Sequence, residues 1–555
     1  MPSGSSRSNA AMAAALRDFV AQVLVVGAGP VGLAAAIELG HRGIRTLLIE
    51  RNDRVGYAPR AKTTNVRTRE HLRRWGIADK LAAASPLGID YPSDIFFVTR
   101  LSGHLLTRIE NANYCAPGRN PFYSEHGQWI PQYTVEEVLR AHAQSLPTIE
   151  IRFGVELTAL EQHERGVHAT LRDAASGAKH TATCEFLIGA DGARSTVRQA
   201  IGATMEGVRK ISRHYNTVFR APGLDRAHPH GPGIMYWQIN DEIPSLLGPM
   251  DRGDRWFFGP TRVPDGLTLS ERDMPELIRR STGIDLPYEI LSSDEWIASR
   301  LIADRYQVAR VFLAGDACHL HPPFGGYGMN MGVADAVDIS WKVAGVLQGW
   351  AHPALLDSYT RERKPVHNFV MDEAVANHAL LSNQLWQDGL EDATAAGARI
   401  RAAAGERIRQ AKEREFNTLG VILGYRYEDS PAIVPDGTAP PPLHFRDYVP
   451  SARPGCLAPH AWLDDGSSLY DHFGRGFTLL SDRGADDLDL DRARRDAAEL
   501  GVPLKRLSMP SRRIEELYAA RHILIRPDQH VAWRGDAPKS WAAILRHVTG
   551  GGPVC

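Results

Sequence analysis

Residues 21–53, AQVLVVGAGPVGLAAAIELGHRGIRTLLIERND, leave this 555-residue chain few folds to choose from. A β-branched run, Val23 to Val26, meets glycines 27, 29 and 32. A helical pattern follows with Leu33, Ala36, Ile37 and Leu39 on its apolar side, and a second apolar run, Thr46 to Ile49, stops at Glu50. This is a whole βαβ unit, and its crossover helix implies parallel strands. Gly27 permits the tight turn, Gly29 lets the backbone approach a pyrophosphate, and Gly32 lets the helix pack on the strand. The positive helix start faces the anion. Glu50 stands where a carboxylate accepts hydrogen bonds from a ribose diol. The unit therefore reads as a dinucleotide site without fixing which dinucleotide.

Two later blocks repeat the strand, glycine and acid pattern. In CEFLIGADGARSTVRQAIG, 184–202, an apolar strand leads to Gly189, Asp191 and Gly192, and Ser195 marks a helix start. In RVFLAGDACHLHPPFGGYGMNMG, 310–332, a strand from Val311 to Ala314 delivers Gly315 and Asp316. Two prolines and glycines 325, 326 and 328 then precede a second helix. A stretch so short of side chains between apolar flanks implies that something comes close to its backbone.

Composition narrows the rest. A chain of this length implies two to four domains at ~100–200 residues each. Acids and bases nearly cancel, 65 against 64, so the basic footprint of a nucleic-acid binder is missing. The five cysteines are scattered without a C-x-x-C pair, which argues for a reducing, cytoplasmic setting with no disulfide frame and no metal site. No apolar run approaches the ~18–20 residues of a membrane span. Residues 1–20 read as a flexible lead rather than a signal peptide.

Taken in order, the G-x-G-x-x-G, D-G and G-D blocks, with ALLDSYTRERKPV after the last, resemble the FAD-dependent aromatic hydroxylases, the single-component group A flavin monooxygenases. The resemblance covers at least residues 21–375. It implies tight, non-covalent FAD, NADPH or NADH as electron donor, and O2, with a phenolic ring hydroxylated through a flavin C4a-hydroperoxide. It assigns Gly27, Gly29, Gly32, Glu50, Arg51, Arg60, Gln132, Asp191, Asp316, Gly328, Asn330 and Met331 to the cofactor. Asp316 serves the ribityl chain, and the NH groups near Asn330 and Met331 meet the pyrimidine edge. Pro323, Gly325 and Gly326 are placed at the reacting centre, the glycines leaving room where dioxygen adds. A homo-oligomer, dimer or higher, is expected.

The expected fold is α/β. A Rossmann-type, glutathione-reductase-like FAD-binding domain spans 21–205 and is completed by 300–376. An antiparallel-sheet substrate domain follows over 206–299, because HYNTVFRAPG, GIMYWQIN and DRWFFGPT are short aromatic runs parted by Gly, Pro and Asp. Tyr215, Met235, Trp237 and Pro322 are the substrate-contact candidates, and period-two alternation lets only about half of such strand residues face a ligand. His214, Tyr215 and Tyr236 are candidate bases. A helical segment, 377–425, leads through a proline-rich linker to a thioredoxin-like domain, 426–555. Lacking vicinal thiols, that domain is expected to stabilise or assemble the protein and to be dispensable for redox chemistry. A disulfide reductase would need a redox dithiol and a second nucleotide motif, and neither is present. An epoxidase or Baeyer–Villiger enzyme of natural-product tailoring is the remaining alternative.

Overall fold

The computed structural model describes residues 19–52, 61–263, 266–482 and 487–552. The expectations for Arg60, Cys555 and the first 18 residues fall outside them. The three glycine blocks end three adjacent strands. In the six-stranded sheet Val23–Val26 lies beside Phe186–Gly189, which lies beside Val311–Leu313. All three run parallel, with Gly189 opposite both Val26 and Leu313. Thr46–Glu50 and Ile149–Phe153 extend the parallel set on the other side. Blocks whose first glycines, Gly27, Gly189 and Gly315, stand 126 to 288 residues apart in sequence thus open at one edge, the carboxyl ends of the strands, where ligands of open α/β sheets bind. These strands are buried on both faces, which is why they read as unbroken apolar runs.

Helix Pro30–Gly40 rises from the first block and helix Tyr327–Leu347 from the third. They cross closely because the contact is made of glycine and valine. A β-carbon at Gly332 would lie 2.5 Å from Val31 Cγ2, and one at Gly315 would lie 2.9 Å from it. A separate four-stranded sheet, an antiparallel meander of Val155–His163, Gly166–Asp173 and Lys179–Cys184 with Phe19–Val20 added in parallel at the last strand, packs beside the parallel sheet.

The aromatic runs of 206–299 do form a sheet, but its eight strands reach beyond that range. It takes in Ile95–Val98 and Leu105–Ile109 on one side and His319–Leu320 on the other. Ile95–Val98 pairs parallel to Met235–Gln238, a contact that ties the sheet to the first half of the chain. One face buries Tyr215, Phe219, Tyr236, Trp256 and Phe258 against helix Met274–Thr282. The opposite face carries Met235, Trp237, Val218 and Phe257, and Phe324 of the glycine loop packs on that side.

Beyond residue 450 the strand order is Leu504–Met509, Phe477–Asp482, His522–Ile525, Val531–Gly535, the first two parallel and the rest antiparallel. Helices Asp487–Glu499 and Trp541–Val548 pack beside each other, and Ser511–Tyr518 adds a helix that the sequence reading lacked. This unit is not loosely tethered. The proline-rich stretch is strapped to it by Val434 N–H to Ala532 O, 2.8 Å, and Arg534 to Asp436, 2.6 Å. Trp341 and Trp350 of the first domain enter its core beside Phe477.

Its hairpin turn drives Arg526 between the helices of the FAD region. The guanidinium reaches Glu362 Oε1 and Oε2 at 2.6 and 2.9 Å, Asp338 at 3.2 Å and Asp528 at 2.7 Å, all fully buried. Lys342 binds the same two acids, Asp338 at 2.7 Å and Glu362 at 2.6 Å. Three carboxylates share two cations there. Burial, with Glu362 close by, pushes Asp338 up to about 8, whereas Arg526 and Lys342 hold Glu362 down at about 2. The cluster gives the last domain a stabilising part in the FAD region, since its removal would strip a buried counter-ion from two helices. Among the described residues no helix is long and apolar enough to cross a membrane.

Candidate active site

The first block is built for a ligand that contacts main chain. Gly27 has φ +101° and its β-carbon would strike Ala190 O at 2.4 Å, so the turn excludes any side chain. A β-carbon at Gly32 would lie 1.8 Å from Gly27 O. Gly29 differs, since a β-carbon there meets nothing within 4 Å. Its bare backbone borders open volume at the start of helix Pro30–Gly40, which has no side-chain cap. Uncapped NH groups at a helix start are donors awaiting an anion. Glu50 lies beside them, accepting from Ala28 N–H at 2.9 Å and from Asn52 at 2.7 Å. Arg51 is exposed beyond it.

The third block repeats the arrangement. Asp316 sits exposed in a short 3-10 turn after Gly315, and helix Tyr327–Leu347 begins at Gly326 without a side-chain cap. A β-carbon at Gly328 meets nothing within 4 Å. Thus Gly29 and Gly328, one on each helix start, are the bare positions that a flat cofactor with a charged tail requires, and the residues present fit FAD.

Gly325 and Gly326 do not keep open space clear as expected. Their φ values are +96° and +67°, and their β-carbons would point at the Tyr327 ring, 2.3 Å, and at Thr63, 3.1 Å. Glycine is needed there for backbone conformation and packing. Pro322 is buried and Pro323 exposed. Asn330 acts through its side chain as well as its backbone: Oδ1 accepts from Asn65 N at 3.0 Å while Nδ2 donates to Thr63 O and Gly326 O. It laces the 63–65 segment to the glycine loop. Met331 is buried, and its carbonyl accepts from Arg363. Gln132 accepts from Ala61 N and donates to Glu136.

Asp191 was expected at the cofactor, yet its carboxylate is spent on its own helix. It accepts from Ser195 Oγ at 2.5 Å and Val197 N at 3.0 Å, the pattern of an N-terminal cap. Arg198, from the same block, is drawn inward to Ala317 O at 3.0 Å, joining the second block to the third. Asp335 had no signal in the sequence. Fully buried, it accepts from His319, His367, Arg363 and Gly315 N–H, and so fixes the turn that presents Asp316. Two histidines and an arginine hold its carboxyl well below the usual range.

The substrate candidates divide by strand parity. Met235 and Trp237 point to the side of the sheet where Phe324 packs. Trp237 is only 1% exposed, with the Lys412 ammonium 3.7 Å over its ring. Tyr215 is corrected, because it lies on the far face with its hydroxyl tied to Glu295 and to Leu269 N. Tyr236 shares that face and donates to Gly231 O. Of the three candidate bases only His214 is turned toward the loop, where its ring meets Phe324 with centroids 5.9 Å apart. Lys62, 4.2 Å over the Phe257 ring, places a second cation on that side, and burial lowers it to about 8.

Known proteins share this architecture. The family model described as FAD binding domain matches residues 20–374, and that described as aromatic-ring hydroxylase, C-terminal matches residues 451–551. Tetracenomycin B2 monooxygenase-dioxygenase of Streptomyces olivaceus is 34% identical over 541 residues, spanning 93% of this chain and 95% of the relative. The structure of the rebeccamycin biosynthetic enzyme RebC with reduced flavin gives a TM-score of 0.88 at 33% identity, over 96% of this chain and 100% of that one. A ternary complex of aklavinone-11 hydroxylase with FAD and aklavinone gives 0.81 at 30%, with the same coverage of both chains.

Proposed function

Because the chain belongs to the FAD-dependent aromatic-ring hydroxylases, we propose that it inserts one oxygen atom of O2 into a multi-ring phenolic natural product, with NADPH or NADH as electron donor. The observation that carries this is the pair of bare glycines, Gly29 and Gly328, at two uncapped helix starts that follow the first and third of three adjacent strands at one sheet edge. Bound there, FAD supplies the electron transfer and the oxygen activation that no side chain can provide.

The chain's own residues hold, orient and exclude. Gly29 and the following NH groups take the diphosphate, Glu50 the ribose hydroxyls and Asp316 the ribityl chain. The main chain at Asn330 and Met331 meets the ring's pyrimidine edge. Asn330 keeps the loop in register by its three side-chain hydrogen bonds. The sheet face with Met235, Leu246 and Phe257 forms an apolar wall, and helix Ala395–Phe416 packs on the same cluster through Ala404, Ile408 and Phe416. Such walls keep water from the reacting centre and hold the ring carbon in line. The natural-product class is supported by the relatives named putative polyketide hydroxylase and tetracenomycin B2 monooxygenase-dioxygenase and by the neighbour solved with aklavinone, which do not favour the epoxidase or Baeyer–Villiger alternative. A cytoplasmic homo-oligomer completes the proposal.

The experiment is a panel of single-ring phenols and polycyclic hydroxyquinones, with NADPH loss followed against hydrogen peroxide release. Polycyclic members should consume NADPH with little peroxide and gain one oxygen by mass. Peroxide release equal to NADPH loss across the whole panel would overturn the reading.

A further inference from the structure

The loop face of the eight-stranded sheet carries a chain of hydrogen-bonding groups that leads outward. His214 Nε2 lies 2.6 Å from Ser212 Oγ, and the same oxygen lies 2.6 Å from His378 Nε2. His214 is buried at 4% exposure, whereas Ser212 and His378 are half-buried. Trp296 stacks on the His214 ring with centroids 4.3 Å apart, and Phe324 stands edge-on to both imidazoles, at 5.9 and 5.2 Å. Phe324 is the residue before Gly325, so the chain touches the glycine loop itself. Residues 212 and 214 share a face by strand parity, and His378 ends helix Ser358–His378 above them.

We propose that His214 accepts the proton of the substrate's phenolic hydroxyl, and that Ser212 and His378 pass a proton on to solvent. This deepens the hydroxylase reading and rests on it. The serine hydroxyl has one hydrogen, so it donates to one imidazole and accepts from the other. With His214 protonated on Nε2 and His378 on Nδ1, the N–H of His214 points to Ser212 and the O–H of Ser212 to His378. The phenol O–H bond then breaks with its electron pair left on oxygen, and a new N–H bond forms at His214 Nδ1. The Nε2 proton moves to Ser212 Oγ, the serine proton moves to His378 Nε2, and the Nδ1 proton of His378 leaves to water. Each group ends neutral, and one proton has left the site.

The surroundings suit this direction. Burial and the neighbouring His378 hold His214 at about 4, so its lone pair is available at neutral pH and it does not retain the proton it takes. The charged groups behind His378 are Lys412 and its partner Glu415, 2.8 Å apart; burial, and then Lys412, keep His378 below its usual range as well. The aromatic rings Trp296 and Phe324 add no competing acceptor. Tyr215 and Tyr236, the other sequence candidates, face away.

The test uses FAD-loaded wild type, Ser212→Ala, His214→Gln and His378→Gln, with 1,8-dihydroxyanthraquinone as probe because its visible band shifts on ionisation. Wild type should bind it and, after a pH jump, ionise it through the relay. In the Ser212→Ala variant, the smallest perturbation, ionisation of the bound probe should be at least tenfold slower than in wild type, with neutral-probe affinity unchanged. A lost base or relay costs on the order of a hundredfold in rate. Turnover at pH 7 should therefore fall 10- to 100-fold in that variant and recover towards wild type near pH 10, where the phenol ionises unaided. A purely packing role would move neither the ionisation nor the pH profile. If wild type binds and hydroxylates the probe while the variants leave both readouts unmoved, the relay is refuted and the hydroxylase reading stands. If wild type binds no polycyclic phenol, that reading falls and the relay with it.

Discussion

Arg526→Met removes the one guanidinium that the last domain places among Asp338, Glu362 and Asp528, and replaces it with a side chain of similar length. Glu362 and Asp528, with Asp338 titrating at about 8, would then face Lys342 alone. Breaking a buried ionic cluster by deleting one partner costs about 3–5 kcal/mol, which is roughly two to three and a half decades in the unfolding equilibrium. The sign of the pH dependence follows from Glu362. Its lowered value contributes stability above the ordinary carboxylate range, lost as pH falls towards about 2. Without Arg526 that value rises, and protonation near pH 5 relieves part of the excess charge. The penalty should therefore be larger at pH 8 than at pH 5. Urea unfolding read by tryptophan fluorescence is the assay, since Trp341 is fully buried with the Arg526 guanidinium 5.2 Å from its ring. Adding Glu362→Gln should recover at least half of the loss. A single variant that unfolds within about 0.5 kcal/mol of wild type at pH 8 would refute the reasoning, because surface-strength pairs cost no more than this.

Glu50→Ala should release FAD more readily, by about 1–3 kcal/mol or roughly 5- to 150-fold in affinity, read as flavin per chain after gel filtration; unchanged retention would remove Glu50 from the cofactor site. Gly326→Ala should lower unfolding free energy by about 1–2 kcal/mol because of its left-handed backbone. Gly328→Ala should instead keep or raise stability, as alanine favours a helix, yet load less FAD, because its β-carbon enters the only volume it can meet. Equal FAD content in the Gly328 variant and wild type would contradict that assignment. Finally, His214 and His367 are held neutral, at about 4 and about 3, so the unfolded chain takes up protons first as pH falls below 6.5. Stability should drop between pH 6.5 and 4, by about 2 kcal/mol for each histidine at pH 5, and a urea midpoint flat from pH 7 to 5 would contradict this.

What could be seen in the sequence was whatever the backbone decides locally. Gly27, Gly29, Gly32 and Glu50 stand within one βαβ unit, so their spacing alone prescribes the turn, the approach and the acid. Parity likewise put Met235 and Trp237 on a common face and Tyr236 on the other, but parity cannot say which face meets the glycine loop. The direction of Tyr215 and His214 was settled by Phe324, which comes from the glycine loop about 110 residues later. Asp191 and Asp316 look alike in sequence, each one residue or two after a strand-ending glycine. Asp191 has a serine four residues on that donates to its carboxylate, a difference the shared glycine-and-acid pattern hides. Asp335, His378 and Arg526 carried no local signal, because the groups that give them meaning lie 16 to 188 residues away.

The Arg526 cluster also sets an order in time. Asp338, Lys342 and Glu362 leave the ribosome well before their missing partner, which lies 188 residues after Asp338 and 164 after Glu362. At roughly 5–20 residues per second, 164 residues take on the order of 8–33 s to translate. During that interval Asp338 and Glu362 have Lys342 as their only cation of the cluster, and water supplies what the guanidinium will later give. The last counter-ion arrives with the hairpin at 522–535, so the stability it contributes is gained only when nearly the whole chain has been made.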